Sequence, residues 1–260
     1  MAFTGAVLES KVELALASLA AGCCGSPATF FVPWQTERLP SELCAAFGPP
    51  ALWVLKRDAQ SNGEGVFFVA QPEEAEDVIA EQRASSYLTM LSHAGDVSDF
   101  VLQRHVDDPL LLQSRKFHLR AYIAVWPESN SDASPTGAAL WGGVEVRLAS
   151  RAYTGDVADK LQMLTNFAPN AGAAGDAIKR MASEFDAPLR AACPALDAQL
   201  AALAADTAAL AQGELVPPAG RAAVVDDAGT PWLGFALLAM DVMVDQSGRL
   251  WLLEVNRVRP

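Results

Sequence analysis

The sequence is short of basic residues: its 260 residues include 19 lysines and arginines against 31 aspartates and glutamates, which gives a formal net charge of -12. Proteins that bind nucleic acids or anionic membranes rely on a basic surface that attracts phosphate groups. The shortage therefore argues against a nucleic-acid partner and against a membrane partner. Any site for an anionic ligand must be built from a local cluster of basic residues.

Cysteine is also scarce, and the four cysteines, Cys23, Cys24, Cys44 and Cys193, show neither metal-ligand spacing nor the density of a disulfide framework. We expect reduced thiols, no zinc site and a cytoplasmic location. No apolar run reaches the ~20 residues that a membrane helix needs. The apolar stretch at the N-terminus is interrupted by charges at positions 9, 11 and 13 and has no basic leader, which argues against a signal peptide.

The chain has no internal repeat and no linker that clearly separates two domains, and its length suits one domain or two closely joined lobes. Apolar spacing predicts helices at 7–21, at 41–47 with Ser41 as the cap, at 72–87 and, in two or three pieces broken near Pro188 and Pro194, at 173–213. Alternation and β-prone residues predict strands at 52–56, 66–70, 100–106, 116–126, 140–148, 237–244 and 250–255.

The last two predicted strands form the most informative part of the sequence. A short polar turn at 245–248 separates them, which predicts an antiparallel hairpin. Glu254 and Asn256 are two residues apart and so share a face of their strand, and Asp241 lies in the facing strand. Oxygen ligands without His or Cys suit a hard cation such as Mg²⁺, which takes one or two carboxylates and fills its shell with water and phosphates. Because an unpartnered carboxylate is costly to bury, this pattern favours a nucleotide-metal site over an acidic hairpin edge.

A glycine-containing loop follows the predicted strand that ends at Lys56. The residues Gly63, Glu64 and Gly65 allow backbone amides to approach phosphate oxygens closely, and Lys56 could supply a point charge. Each feature alone is weak, because an ordinary turn and a solvated lysine look the same in sequence. The Walker and Rossmann patterns are absent.

The one dense basic stretch of this acidic chain lies between residues 103 and 120. Within it Lys116, His118 and Arg120 alternate with apolar residues, so they share one face of the predicted strand 116–126. This row faces either a groove or water. The charges of ATP, or a carboxylate held by an arginine in bidentate fashion, would match it.

Four segments occur in the order found in the tubulin tyrosine ligase-like family of ATP-grasp enzymes, which add amino acids to protein carboxylates, and the chain resembles that family from about residue 29 to 256. The segments are WVLKRDAQSNGEGV at 53–66, VLQRHVDDPLLLQSRKFHLRAYIAV at 101–125, LTN at 164–166 and MDVMVDQSGRLWLLEVN at 240–256. The resemblance implies an α+β, ATP-grasp fold in which two lobes with antiparallel sheets grip MgATP. It places an N-terminal helix or remnant at 1–33, a smaller lobe at 34–102 and a larger lobe carrying the metal site at 103–260.

The resemblance also implies roles for individual residues. Those implied to contact ATP are Lys56, Gly63, Glu64, Gly65, Gln103, Arg104, His105, Val106, Lys116, His118, Thr165 and Asn166, with Lys11 as a looser match. Those implied to bind Mg²⁺ are Asp241, Glu254 and Asn256. The catalytic residues would be Arg120 and Arg147, which would hold carboxylate or acyl-phosphate groups, together with Glu254.

The sequence departs from the family pattern at several positions. His118 stands where many relatives have Asp, residues 141–143 replace an Arg-Glu-Gly, and Met163 replaces a His before Leu-Thr-Asn. Most of the family's N-terminal domain has no counterpart here, and the family usually continues beyond Asn256. These departures predict that acceptor recognition is reduced or absent.

The function implied is an ATP-dependent ligase that joins an amino acid to a protein carboxylate through an acyl phosphate. The expected partners are ATP, an amino acid and an acidic protein tail such as that of tubulin, with the protein a monomer in the cytoplasm or on the cytoskeleton. Two alternatives stay open: an ATP-grasp carboxylate-amine ligase with another substrate, and a degenerate nucleotide-binding module without turnover.

Overall fold

A computed structural model describes residues 10–11, 14–15, 25–48, 51–58, 63–90, 98–127, 136–166, 179–211 and 235–258. Most of the predicted helix at 7–21 and, within the helical region predicted at 173–213, residues 173–178 and 212–213 lie outside these ranges. Within them, no helix is both long enough and apolar enough to cross a membrane.

The first sheet is antiparallel and has four strands in the order β1-β4-β2-β3. Its strands are β1 (Thr29–Val32), β2 (Trp53–Arg57), β3 (Val66–Val69) and β4 (Phe100–Arg104), with helices α1 (Ser41–Ala46) and α2 (Pro72–Met90) between them in sequence. Trp53, Leu55, Phe100 and Leu102 form its buried core, which Ile79 of α2 joins. Because side chains of a strand alternate between faces, the remaining face can carry polar groups.

The second sheet is also antiparallel and has seven strands, with β11-β10-β6-β8-β9 as its main order and with β5 and β7 also paired to β6. In chain order the strands are β5 (Leu111–Leu112), β6 (Arg115–Pro127), β7 (Thr136–Leu140), β8 (Glu145–Leu148), β9 (Lys179–Met181), β10 (Ala236–Val244) and β11 (Leu250–Arg257). The helices are α3 (Lys160–Met163), a 3-10 turn (Ala182–Phe185), α4 (Asp186–Ala192) and α5 (Leu196–Leu210). One face of this sheet packs its apolar residues against α5, including Leu200 and Leu203.

The turn of the β10–β11 hairpin is held by contacts at both of its ends. Asp245 accepts hydrogen bonds from the backbone N–H groups of Ser247 and Arg249. The carbonyl of Gly248 accepts from Cys193 Sγ at 2.9 Å and from Gln199 Nε2 at 2.8 Å. The hydrogen bonds of Asp245 lie within the turn, and those of Gly248 join the hairpin to the helices behind the sheet.

Most predicted elements are confirmed within a few residues, including the final hairpin and the alternating strand that became β6. The single strand predicted at 140–148 is wrong: the chain leaves strand geometry at 141–144, where Gly142 and Gly143 lie, and continues as a separate strand, β8. The all-helical prediction for 173–213 is wrong at β9, which gains ladder hydrogen bonds by pairing with β8. Ser41 is not the cap of α1, because Pro40 takes that position and no side-chain capping bond forms.

Helices combined with two antiparallel sheets agree with the predicted α+β class. The first sheet includes β1 and continues to Arg104, so it extends beyond the interval 34–102 on both sides. The division into two lobes that grip MgATP stays a prediction.

Candidate functional site

A cleft lies between the first sheet and the polar face of the second. Many of the residues singled out from the sequence line it together with apolar side chains. The lining includes Lys11, Lys56, Gly63, Glu64, Gln103, Arg104, His105, Val106, Lys116, His118, Thr165, Asn166, Asp241 and Glu254. Gly65, Arg120, Arg147 and Asn256 are not among the lining residues. Two of them, Arg120 and Asn256, hydrogen-bond to Asp241, which lines the cleft.

The polar face of the second sheet is built by strand register. Asp241 of β10 pairs with Glu254 of β11 on one side and with Arg120 of β6 on the other, and Arg120 pairs with Glu145 of β8. Directly paired residues in an antiparallel sheet point to the same face. Four charged side chains therefore form one row across four strands, and His118 begins the neighbouring row.

Asp241 lies at the centre of this row and is buried. Its Oδ1 accepts from Arg120 Nε at 2.7 Å, and its Oδ2 accepts from Arg120 Nη2 at 2.6 Å and from Asn256 Nδ2 at 3.2 Å. Burial acts to raise the pKa of Asp241, but His118 and Arg120 outweigh it and hold the pKa well below its usual range. Asp241 is thus an ionised carboxylate at neutral pH.

The residues fit a hard divalent cation. Asp241 and Glu254 supply carboxylate oxygens, and because Asn256 uses its Nδ2 toward Asp241, its amide oxygen points elsewhere and is a possible ligand. In the described ranges no group of three or more His, Cys, Asp and Glu residues is placed so that it could hold a metal ion, so a site here would rest on two carboxylates and the amide of Asn256. His118 adds a further polar atom: its Nε2 lies 3.5 Å from Asp241 Oδ1, is buried, and has no hydrogen-bond partner among the described residues.

On the opposite wall, Lys56 is held by a short chain of hydrogen bonds. Its Nζ donates to Gln103 Oε1 at 2.7 Å, and Gln103 Nε2 donates to Thr29 Oγ1 at 3.2 Å. The pKa of Lys56 is lowered to about 8, chiefly by burial and also by Lys11, while Glu254 opposes the shift. Both polar atoms of the Gln103 side chain therefore form hydrogen bonds within the protein, and one of these bonds holds Lys56 in place.

A second buried lysine lies close to a histidine. Lys116 Nζ is 2.8 Å from His105 Nε2, and both side chains are buried. Burial, with repulsion from Lys56, lowers the pKa of Lys116 to about 7. Burial and the two lysines also hold the pKa of His105 far below its usual range, which keeps its ring neutral.

Two glycines of the loop after β2 adopt a backbone conformation that favours glycine. Gly63 and Gly65 have φ values of 82° and 64°, in the left-handed region that side chains disfavour. The carbonyl of Gly65 accepts from the N–H of Arg57 at 2.9 Å, which closes the described part of the loop. Residues 59–62 lie outside the described ranges.

Arg147 is buried instead of solvated. It pairs with Glu145, whose Oε2 accepts from Arg147 Nη2 at 3.1 Å, and Tyr122 donates its hydroxyl to the other oxygen of Glu145 at 2.8 Å. The ring of Trp141 packs edge-on against Tyr122. Arg147 thus belongs to a network beside the cleft, and its predicted contact with an amino acid stays a prediction.

The sequence reading missed the apolar walls of the cleft. They are formed by Val54, Val66, Phe68, Met163, Leu164, Met243 and Leu253. A signal for some of them existed: Val54 is two residues from Lys56 and Met243 two residues from Asp241, so each shares a strand face with a predicted site residue. Apolar side chains of this kind suit the flat faces of a nucleotide base.

The sequence model of the Tubulin-tyrosine ligase family matches residues 26–258, and the chain therefore belongs to this family. The resemblance inferred from the four motifs is confirmed. Protein polyglycylase TTLL10 of Mus musculus is 30% identical over 103 residues, which are 38% of this chain and 14% of that protein. Probable alpha-tubulin polyglutamylase Ttll1 of Tetrahymena thermophila is 27% identical over 146 residues, which are 55% of this chain and 32% of that protein.

These comparisons relate the chain to a family named for a ligase, and one of the two relatives is named for the modification of alpha-tubulin. The matched regions span about a third of the length of one relative and less of the other. Because the two names describe different modifications, they do not define the modification for this chain.

Proposed function

We propose that this protein is an ATP-dependent ligase that joins an amino acid to a carboxylate of an acidic protein segment through an acyl phosphate. The observation that carries the proposal is the cleft in which Lys56 of the first sheet faces the carboxylates of the second. Lys56 is close enough to Glu254 and Asp241 for both to favour its charged form. Cations for phosphate and oxygen ligands for a metal therefore meet in one place, in a chain of a ligase family.

Mg²⁺ would be held by Asp241, Glu254 and Asn256. When bound there, it would neutralise charge on the phosphate groups. The chain's own contribution is to keep Asp241 ionised through its contacts and to hold Asp241 and Glu254 opposite each other through the β10–β11 pairing.

ATP would lie across the cleft with its base between the apolar walls, including Phe68 and Met243. Lys56 and Lys116 would contact the phosphates, and the Gly63–Gly65 loop would close over them. Preorganised cations in a site that excludes water stabilise developing negative charge more strongly than they would in solution.

In the proposed reaction an oxygen of the acceptor carboxylate attacks the γ-phosphorus of ATP, the bond from that phosphorus to the bridging oxygen breaks, and ADP leaves. The amine nitrogen of the amino acid then attacks the acyl carbon, inorganic phosphate leaves, and the nitrogen loses a proton to solvent. Arg120 would hold the acyl phosphate and Arg147 the carboxylate of the amino acid. Both arginines are paired with carboxylates, Arg120 with Asp241 and Arg147 with Glu145, so each would share its donors with the ligand or exchange its partner as ligands bind.

The proposed acceptor is an acidic protein tail, with tubulin as the first candidate and the cytoplasm as the location. The support is the family and the names of the two relatives, one of which specifies alpha-tubulin. A carboxylate-rich tail also offers the functional group that this chemistry needs.

One observation favours a second candidate, a nucleotide-binding module without turnover. Both oxygens of Asp241 already accept hydrogen bonds from Arg120, so the metal ligand is occupied by a cation of the protein itself. If this pair does not open, ATP would bind without being hydrolysed.

The test is to incubate the purified protein with MgATP, a mixture of amino acids and tubulin, and to measure ADP release and the mass of the tubulin tails. Added mass equal to one or more amino acid residues, absent without ATP, supports the proposal. ADP release and ligation of a small carboxylate instead of tubulin would identify a ligase with a different acceptor. A rise in melting temperature with MgATP, without ADP release under any condition, would identify the binding module.

A further inference from the structure

We propose that His105 is a positioning residue: as a neutral acceptor it holds the Lys116 ammonium toward the phosphate groups of a bound nucleotide without cancelling its charge. This inference rests on the proposed function, because it concerns the same cleft. It goes beyond that function by giving His105 a role through Lys116 and not through direct contact with ATP.

The position of His105 is fixed from three directions. Its backbone N–H donates to the carbonyl of Leu52 at 3.0 Å. Its ring packs at 78° against Phe68, with the ring centroids 6.0 Å apart. Its Nδ1 lies 3.7 Å from a carboxylate oxygen of Asp107. The ring therefore presents Nε2 to the cleft, and Lys116 Nζ meets it at 2.8 Å.

The chemistry of the pair sets the direction of this hydrogen bond. A lysine ammonium has three donors and no acceptor, and two cations at 2.8 Å in a buried site would repel strongly. When Lys116 is charged, His105 is therefore neutral with its proton on Nδ1, which lies toward Asp107, and Nε2 accepts from Lys116. A neutral lysine amine can also donate to Nε2, so the bond persists in either protonation state of Lys116.

A neutral acceptor has a consequence that a carboxylate would not have. Among the described residues Lys116 forms no ion pair with Asp or Glu, and its Nζ lies 5.9 Å from the ring centroid of Phe68 and 6.0 Å from that of Tyr153. A glutamate at position 105, whose carboxylate oxygen can reach the position of Nε2, would also orient Lys116 but would neutralise it. Histidine orients the ammonium and leaves its full charge for an anionic ligand.

Replacing His105 with Asn or with Gln gives a matched pair of variants, because neither amide side chain titrates. The two amides differ in which nitrogen of the His105 ring their oxygen replaces. The side-chain oxygen of Gln reaches the position of Nε2, whereas that of Asn reaches only the position of Nδ1. We expect His105→Asn to raise the Kd for ATP about tenfold, the effect of losing one hydrogen bond to a charged group. His105→Gln should stay within about threefold of the natural protein. The measurement is calorimetric titration with MgATP.

A double-mutant cycle with Lys116→Met separates positioning from a structural role. We expect Lys116→Met to weaken ATP binding at least as much as His105→Asn, and the double variant to bind no more weakly than Lys116→Met alone. Equal weakening by Asn and Gln, or full additivity with Lys116→Met, would overturn the proposal. An effect seen only as a lower melting temperature of the ligand-free protein would overturn it as well.

The cycle also distinguishes this inference from the proposed function. If the natural protein does not bind MgATP, the proposed function fails and this inference fails with it. If the natural protein binds MgATP and His105→Asn binds it equally well, the nucleotide site stands and only the positioning role is wrong.

Discussion

Arg120 and Asp241 face each other on adjacent strands of the second sheet, and the guanidinium contacts both carboxylate oxygens, Nε to Oδ1 at 2.7 Å and Nη2 to Oδ2 at 2.6 Å. A metal bound by Asp241 needs at least one of these oxygens. Under the proposed function, Arg120 and the metal would compete for this carboxylate, and release of Arg120 would free a cation beside the proposed phosphate site.

The first prediction concerns this competition. Lysine keeps the positive charge at position 120 but cannot form the two-point contact, so Arg120→Lys should loosen the hold on Asp241. We expect Mn²⁺, used as a spectroscopic substitute for Mg²⁺, to bind more tightly to the nucleotide-free variant, measured by electron paramagnetic resonance. The kcat should fall, because Arg120 is proposed to hold the acyl phosphate. Unchanged or weaker Mn²⁺ binding would contradict the competition.

The second prediction concerns Glu254. Glu254→Gln keeps the size of the side chain but removes its charge, so Mg²⁺-dependent ADP release should be lost while the fold persists. The melting temperature without ligand should stay within about 2 °C, since Glu254 is only partly buried and a surface-type change costs little. Gln246, in the exposed turn of the same hairpin, offers a control: Gln246→Glu should leave ADP release unchanged. Normal activity of Glu254→Gln would remove the metal assignment.

The third prediction concerns Arg147. Arg147→Lys should raise the KM for the amino acid far more than the KM for ATP, by a factor of roughly 30, because one bidentate pair with a carboxylate is worth on the order of 2 kcal/mol. Arg151→Lys is a matched control, since Arg151 is mostly exposed and pairs with Asp159 at the surface. That control should change both constants less than twofold. An equal rise in both KM values for Arg147→Lys would show that Arg147 does not specifically bind the carboxylate of the amino acid.

The fourth prediction follows from the lysine pKa values of about 8 for Lys56 and about 7 for Lys116, against an ordinary value of 10.5. Between about pH 7 and 10.5 the folded, ligand-free protein binds fewer protons than the unfolded chain, so these groups increase its stability as the pH rises through that window. ATP favours the charged lysines, and its binding at pH 8 should therefore take up protons.

Proton uptake can be measured by calorimetry of MgATP binding in buffers that differ in ionisation enthalpy. We expect net uptake at pH 8 and a smaller value for Lys116→Met. The Kd for ATP should rise between pH 7 and 9. Binding heats that do not depend on the buffer would contradict this prediction.

The alternation of side chains within a single strand was enough to predict that Lys116, His118 and Arg120 share one face of their strand. It also predicted that Glu254 and Asn256 share a face of theirs. Alternation could not predict the contact between Asp241 and Arg120, because these residues are 121 positions apart and meet only when β10 pairs with β6. The order of the strands in the sequence does not determine which strands pair in the sheet.

The hydrogen bonds within the site were equally hidden from the sequence. Gln103 and His105 line the cleft, and their contact with a nucleotide stays a prediction. The sequence did not indicate that their side chains also contact Lys56 and Lys116. A residue type indicates what a side chain can donate or accept, whereas its partner depends on which strands pack across the cleft.

The contacts of Gly248 bear on how natural variants of this protein should be interpreted. A Cβ atom at Gly248 would lie 2.6 Å from the carbonyl oxygen of Ala192, so any other residue there would push the hairpin turn away from α4. Glu254 lies six residues further along the same hairpin and would move with it. A substitution of Gly248, at the back of the sheet, can therefore cause loss of activity while every cleft residue is unchanged. A catalogue of harmful variants that is limited to the cleft would miss such a substitution.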